Sequence, residues 1–262
     1  MNMNHWLELS IEFATQRNYL DELHRVYPAI PQGIRELDED KWSSVEKAFK
    51  KKNRKELLKS LLALDLFPIK DPYVAFLKRD KTAVDRNPAT IERLSGRLFE
   101  MGLDGIWESC SKPKEINRII GPLFHNWVVS GCLGADLKDE EEFKNSKGNA
   151  ILARTDAGLL RFAREYLDYS GEKGLDFIGR FNGKHVVGEA KFLTDYGGHQ
   201  NAQFEDAKNL LLRATVKAQK VAVLDGVLYI KSRNKMHRTL INELKDFNVM
   251  SALVLREFLY QL

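Results

Sequence analysis

The stretch Gly174–Phe192, GLDFIGRFNGKHVVGEAKF, constrains this chain more than any other. Two mostly apolar arms, 175–181 and 184–192, flank Asn182-Gly183. A two-residue type I′ turn needs positive φ at both central positions, which Asn-Gly supplies, so the arms read as a β-hairpin of fixed register. Phe181 then faces Lys184, Arg180 faces His185, Ile178 faces Val187 and Asp176 faces Glu189. Residues directly opposite share a face, with Cβ atoms about 5 Å apart. Lys191, two positions past Glu189, falls on that same face, while Phe177, Val186, Ala190 and Phe192 fall on the other and read as core. Charged groups in an apolar ribbon cost free energy unless something compensates them. Asp176, Glu189 and Lys191 therefore either pair as a surface cluster or hold something else.

Adjacent carboxylates raise one another's pKa unless a cation lies between them. Hard divalent cations such as Mg²⁺ accept carboxylate oxygens and keep positions open for water and phosphate. A metal so held activates water and stabilises charge on a phosphoryl oxygen, and a neighbouring ammonium shares that charge. The expected chemistry is metal-dependent hydrolysis of a phosphodiester. An acid-x-Lys triplet alone means little: EDK at 39–41, DLK at 136–138, EFK at 142–144, DAK at 206–208 and ELK at 243–245 read as solvated charges. EAK at 189–191 differs because it lies in an apolar strand opposite Asp176.

The rest of the chain places this hairpin in a mixed α/β protein. The first hundred residues read as helices. Ser43 with Glu46 forms a capping-box pattern, and a polar middle divides the leucine-rich run after it. Asn87-Pro88 opens a helix that Gly102 ends. KEINRIIGPLFHNWVV reads as a helix kinked by Pro122, with Ile116, Ile119, Leu123, Phe124 and Trp127 as its apolar stripe. Thr155 caps a helix whose Leu159, Phe162, Ala163 and Tyr166 face inward. After the hairpin come a helix near 200–217, a second hairpin KVAVLDGVLYIK with Asp225-Gly226 as its turn, and a helix near 236–246. SALVLREFLYQL has no assignment. The division expected is a helical accessory region at 1–105 and a catalytic core at 106–262.

Composition only narrows the class. With 44% hydrophobic and 30% charged residues the chain is globular, and a net charge of +4 does not by itself imply nucleic acid. Cys110 and Cys132 lack metal-site spacing and read as free thiols of a reducing cytosol. No secretory apolar segment and no run long enough for a membrane helix is visible.

An acid, about a dozen residues, then (D/E)-x-K on the next strand resembles the PD-(D/E)xK nuclease superfamily, and within it the type II restriction endonucleases. The resemblance is specific over 174–192, weaker over the following helix and strands, and absent from the first hundred residues; Leu175 stands where the motif has proline. It implies an αβββαβ core, Mg²⁺ bound by Asp176, Glu189 and the Ala190 carbonyl, Lys191 as catalytic lysine, and Glu165 as a candidate further acid. It also implies a cytoplasmic prokaryotic enzyme of a restriction–modification system, a homodimer acting on double-stranded DNA at a short site. A repair or recombination nuclease, a DNA-binding module without catalysis and a two-carboxylate glycosidase are the rivals.

Phosphates are met by Lys and Arg, and base edges by Arg, Lys, Asn and Gln. The candidates are Lys112, Lys114 and Arg118 at a loop–helix junction, His199, Gln200, Asn201 and Gln203 after the catalytic strand, and Arg233, Lys235 and Arg238 further on. The densest basic run, Lys50, Lys51, Lys52, Arg54 and Lys55, reads equally as a solvated helix face.

Overall fold

A computed structural model describes residues 3–16, 18–28, 33, 35–112 and 117–262. The chain forms two compact units, Met1–Ala29 with Ile116–Leu262, and Ile30–Glu115. The sequence boundary at 105 differs from this division mainly at the start of the chain. There α1 (His5–Ala14) and α2 (Tyr19–Val26) belong to the unit that carries the hairpin. Leu7, Leu23 and Val26 are buried in that unit's core.

The second unit is helical: α3 (Glu39–Lys50), α4 (Arg54–Leu62), α5 (Val74–Arg79), α6 (Ala83–Arg86) and α7 (Pro88–Cys110). Leu57, Leu58 and Leu61 of α4 pack with Val45, Leu94 and Leu98. The cap of α3 is Asp38, which accepts from Lys41 N, and not Ser43; Ser43 lies inside the helix. Asp38 supplies an acceptor one turn earlier, and Glu46 instead accepts from the Trp42 indole. The polar break does fall between α3 and α4, at Lys52, whose φ is +50°. Gly102, with φ +71° and ψ 167°, is non-helical and ends the first of two helical segments within α7, as expected; the second runs on from it to Cys110. Within the basic run Arg54 pairs with Glu92 at 2.7 Å and Lys55 with Asp85 at 3.2 Å, both side chains about half exposed, as a solvated helix face would be.

The first unit continues with α8 (Asn117–Val129), β1 (Asp136–Lys138), α9 (Glu140–Asn145), β2 (Ala150–Leu152), α10 (Asp156–Tyr166), β3 (Phe177–Phe181), β4 (Lys184–Leu193), α11 (Gly198–Leu212), β5 (Gln219–Gly226), α12 (Lys235–Asn242), β6 (Val249–Met250) and α13 (Ala252–Tyr260). Among the described residues these strands form one six-stranded sheet in the order β1-β2-β3-β4-β5-β6. β2, β3 and β4 run antiparallel in turn, then α11 crosses to β5, which is parallel to β4. That is the strand order expected of the restriction-endonuclease-like core, with α10 inserted after β2 and with β1 and β6 added at the edges.

On α8 the buried residues are Ile120, Phe124 and Val128, with Leu123 and Trp127 partly buried beside them. Ile116 and the Ile119 side chain lie outside the described residues. Tyr166 is not inward: it is 41% exposed and its hydroxyl takes a bond from Lys144. Among the described residues no helix is long and apolar enough to cross a membrane.

Layers of side chains cover both faces of the sheet. Ile178 and Val187 pack with Leu159 and Phe162 of α10. Phe177 and Val186 pack on the opposite side with Phe124 of α8. Arg180 is buried on β3 because its guanidinium donates to Phe143 O, Gly148 O and Ser146 Oγ, which ties the α9–β2 connection to the hairpin.

The second hairpin does not form. β5 is a single interior strand between β4 and β6, which explains its continuous apolar run. Asp225 is fully buried and accepts from Tyr27, Ser251 and the Ala252 amide, so it does not occupy a solvated turn. Gly226 does have a positive φ of +98°, but it ends the strand where an added Cβ would lie 2.1 Å from Leu193 O.

Gly188 lies opposite Phe177, and a Cβ there would come within 2.0 Å of the Phe177 ring. Gly188→Ala is expected to force that ring out of its place beside Phe124, costing about 2 kcal/mol and lowering the melting temperature by about 5 °C. Thermal denaturation checks this, and an unchanged melting temperature would contradict the packing described.

Candidate active site

The hairpin turns at Asn182 and Gly183 with φ of +49° and +77°, as a type I′ turn requires. Pairing runs from Phe181 opposite Lys184 to Phe177 opposite Gly188. Beyond it Asp176 N donates to Gly188 O at 2.9 Å, and Asp176 Oδ2 accepts from Ala190 N at 2.6 Å. The strand end thus fixes the first carboxylate through the backbone of the second strand. Lys191 Nζ lies 2.5 Å from Glu189 Oε1 and 3.5 Å from Asp176 Oδ2. The three side chains the turn was expected to gather are together, at the end of the face that carries Ile178 and Val187.

Glu189 is 7% exposed, and its carboxyl is pushed up to about 7, first by burial and then by the Asp176 charge, with Lys191 pulling the other way. Burial opposes the Lys191 charge, but Asp176 and Glu189 outweigh it and hold the ammonium's pKa above its ordinary value. Two carboxylates share one ammonium, so the cluster is one positive charge short.

A cleft of about 120 Å³ opens beside Asp176, Ala190 and Lys191, with Gln203 from α11 and the rings of Tyr27 and Phe124 as walls. Glu189 also borders a separate cavity of about 300 Å³ with Asp206, Lys173 and Arg213. Asp206 adds a smaller negative field at Glu189 and is gripped by Lys173 at 2.6 Å. Among the described residues no group of three or more His, Cys, Asp or Glu could hold a metal. The donors for a cation are therefore Asp176, Glu189 and backbone oxygen such as that of Ala190. The hard oxygen donors and the charge deficit at Glu189 fit a hard divalent ion.

The other sequence candidates fall in different places. Gln203 lines the cleft beside Asp176 and Lys191, which its place one turn into α11 allows. Asn201 and Lys235 come together on a depression between α11 and α12. His199, Arg233 and Arg238 are exposed. Gln200 is corrected: it is buried and its amide is spent on Thr194, accepting from the backbone N at 3.1 Å and donating to the hydroxyl at 3.3 Å. Lys112 is exposed at the end of the helical unit. Lys114 and the side chain of Arg118 lie outside the described residues. Glu165 is exposed on a shallow surface of α10 with Leu160 and Arg161, and borders neither cavity beside Asp176, Glu189 and Lys191.

Sequence reasoning missed Tyr27 and Asp206. Asp206 sits one turn after Gln203 on α11, a helical spacing that could have found it once Gln203 was placed. Nothing local marks Tyr27, whose role depends on its fold partners.

A mixed sheet with a β2–β3–β4 meander, a crossover to a parallel strand and a helical N-terminal region defines a restriction-endonuclease-like protein. Residues 4–262 match the family model described as Tsp45I type II restriction enzyme. The chain belongs to that family and is a site-specific deoxyribonuclease acting on double-stranded DNA, in a class of enzymes that generally uses divalent metal ions. No curated protein and no solved structure matches the chain.

Proposed function

We propose that Asp176, Glu189 and Lys191 are the catalytic residues of a Mg²⁺-dependent endonuclease that cuts both strands of DNA at a short sequence. The observation that carries this is the Lys191 ammonium within 2.5 and 3.5 Å of two carboxylates on one strand face. Asp176, Glu189 and the Ala190 carbonyl would hold the ion, which when bound supplies charge neutralisation at the phosphate and a more acidic water. The chain's own groups do the rest. Ala190 N–H fixes the Asp176 carboxylate, so its orientation does not depend on a flexible partner. Lys191 stays protonated and donates to the attacking water or to a non-bridging phosphate oxygen as negative charge grows there. Tyr27 and Phe124 close the cleft on its apolar side and limit bulk water.

Asn201 and Lys235 on their shared depression, with His199, Gln203, Arg233 and Lys112, are the DNA contacts this reading retains. Two strands require two cuts, which a two-fold homodimer delivers on a palindromic or nearly palindromic site.

Incubation of the protein with plasmid DNA and Mg²⁺ should give discrete fragments whose ends map to one short sequence. A ladder without preferred ends, or cleavage only at free ends and flaps, would point to a repair-type nuclease instead.

A further inference from the structure

Beyond Asp176 the catalytic cleft continues as a groove of about 540 Å³ between α8 and the start of α10. Asp176 and Gly121 border both spaces, so the two are contiguous. One wall is the face of α8 formed by Gly121, Pro122, His125 and Asn126, which the four-residue spacing brings side by side. His125 is half-buried and Asn126 is exposed. Among the described residues no hydrogen bond or ion pair engages either side chain. The opposite wall is Thr155 and Asp156. Thr155 already caps α10, so the helix end itself is not what makes the groove a site.

A second observation comes from the α10 rim. Glu140 is 6% exposed and takes three cations: Lys144 at 3.4 Å, Arg154 at 3.4 Å, and Arg161. Arg154 and Arg161 thus share one buried carboxylate with Lys144. Arg154 directly precedes Thr155, and its side chain lies against Gly158 in the first turn of α10. The side chains of Arg154 and Arg161 are 39% and 59% exposed. The groove thus carries the carboxylates of Asp176 and Asp156, uncharged hydrogen-bonding groups along α8, and the arginines Arg154 and Arg161 on the neighbouring α10 side. A polyanion whose reacting phosphate sits at Asp176 matches that sequence of surfaces.

We propose that this groove carries the DNA strand away from the reacting phosphate, with His125 and Asn126 contacting the adjoining nucleotide and Arg154 and Arg161 its backbone phosphates. This rests on the catalytic assignment above. The test compares wild type with His125→Ala, Asn126→Ala and Arg154→Ala, by anisotropy on a fluorescent duplex cut from plasmid, in metal-free buffer over a salt series, and by plasmid cleavage in Mg²⁺. Arg154→Ala leaves Lys144 and Arg161 on Glu140, and the other two changes remove no internal bond, so melting temperatures should stay near wild type. Binding should weaken severalfold in each variant, with Arg154→Ala also reducing the salt slope by about one. Cleavage should fall in parallel. A wild type that cuts while all three variants bind and cut like it would overturn the groove alone; a wild type that cuts no plasmid would overturn the catalytic assignment first.

Discussion

Glu189→Gln is expected to lower cleavage by about a thousandfold or more, while leaving the metal-free protein as stable as wild type, or more so, above pH 7. The carboxyl is buried beside Asp176, and its pKa is about 7 in the folded protein against an ordinary 4.5. The folded state therefore holds this proton more tightly than the unfolded chain does. The stability this group contributes is fully present below about pH 4.5 and is lost as pH rises through about 7. Glutamine has nearly the same shape and never ionises, so it escapes that loss. It also surrenders the anionic oxygens that a divalent ion and Lys191 need. Thermal scans at pH 5 and pH 8 in chelator, with plasmid cleavage alongside, check both halves. A variant that cuts at the wild-type rate, or that is relatively less stable at pH 8 than at pH 5, would contradict the site as described. Stability against function in one residue is what a cluster short of one positive charge should show.

Asp225→Ala should produce the largest loss of stability outside the apolar core. The carboxylate accepts from Tyr27 at 2.8 Å, from the Ala252 amide at 3.2 Å and from Ser251. Ser251 in turn caps α13 and donates its amide N–H to Ser10 Oγ of α1. Removing the acceptor strands buried donors, a cost of about 3 kcal/mol or about 8 °C in melting temperature. Asp225→Asn keeps an acceptor for Tyr27 or Ser251 and should fall between the two. Burial pushes the Asp225 carboxyl up to about 6, with Ser251, Tyr27 and the Ala252 amide pulling it partly back. Wild type should accordingly lose stability as pH rises from about 4 to about 6, and the Asn variant should lack that step. Because Tyr27 also walls the cleft beside the proposed catalytic residues, stacked on Phe124 and edge-on to Phe192, cleavage by Asp225→Ala should fall even at temperatures where it is folded. Equal melting curves for wild type and Asp225→Ala would remove this account of the acid.

What could be read from the sequence was what local chemistry decides. Asn182-Gly183 sets φ at two adjacent residues, and the two-residue period of a strand then carries the consequence to Asp176, Glu189 and Lys191. No distant partner is needed for that argument. Asp225-Gly226 presents the same kind of dipeptide and misleads, because what holds Asp225 in a strand is Tyr27, 198 positions away, and a cap at Ser251. Its glycine is needed for a positive φ, but at a strand end packed against Leu193. β1 and β2 are three residues each, too short for periodicity to register. Gln200 reads as a base contact in the sequence, but its amide closes the loop at Thr194. The basic run at 50–55 reads as a solvated helix face, and Arg54 and Lys55 there pair with Glu92 and Asp85, which no local pattern announces. For Asp225, Arg54 and Lys55 the missing information was a partner remote in sequence; for Gln200 it was the fold of its own loop.

The most direct measurement is digestion of one plasmid by wild type and by Lys191→Ala, each with Mg²⁺ and with chelator, after both are shown to melt alike. Discrete fragments should appear only for wild type with Mg²⁺. Fragments from Lys191→Ala at the wild-type rate, or from wild type in chelator, would contradict the claim that this ammonium and its two carboxylates form a metal-dependent phosphodiester-cleaving site.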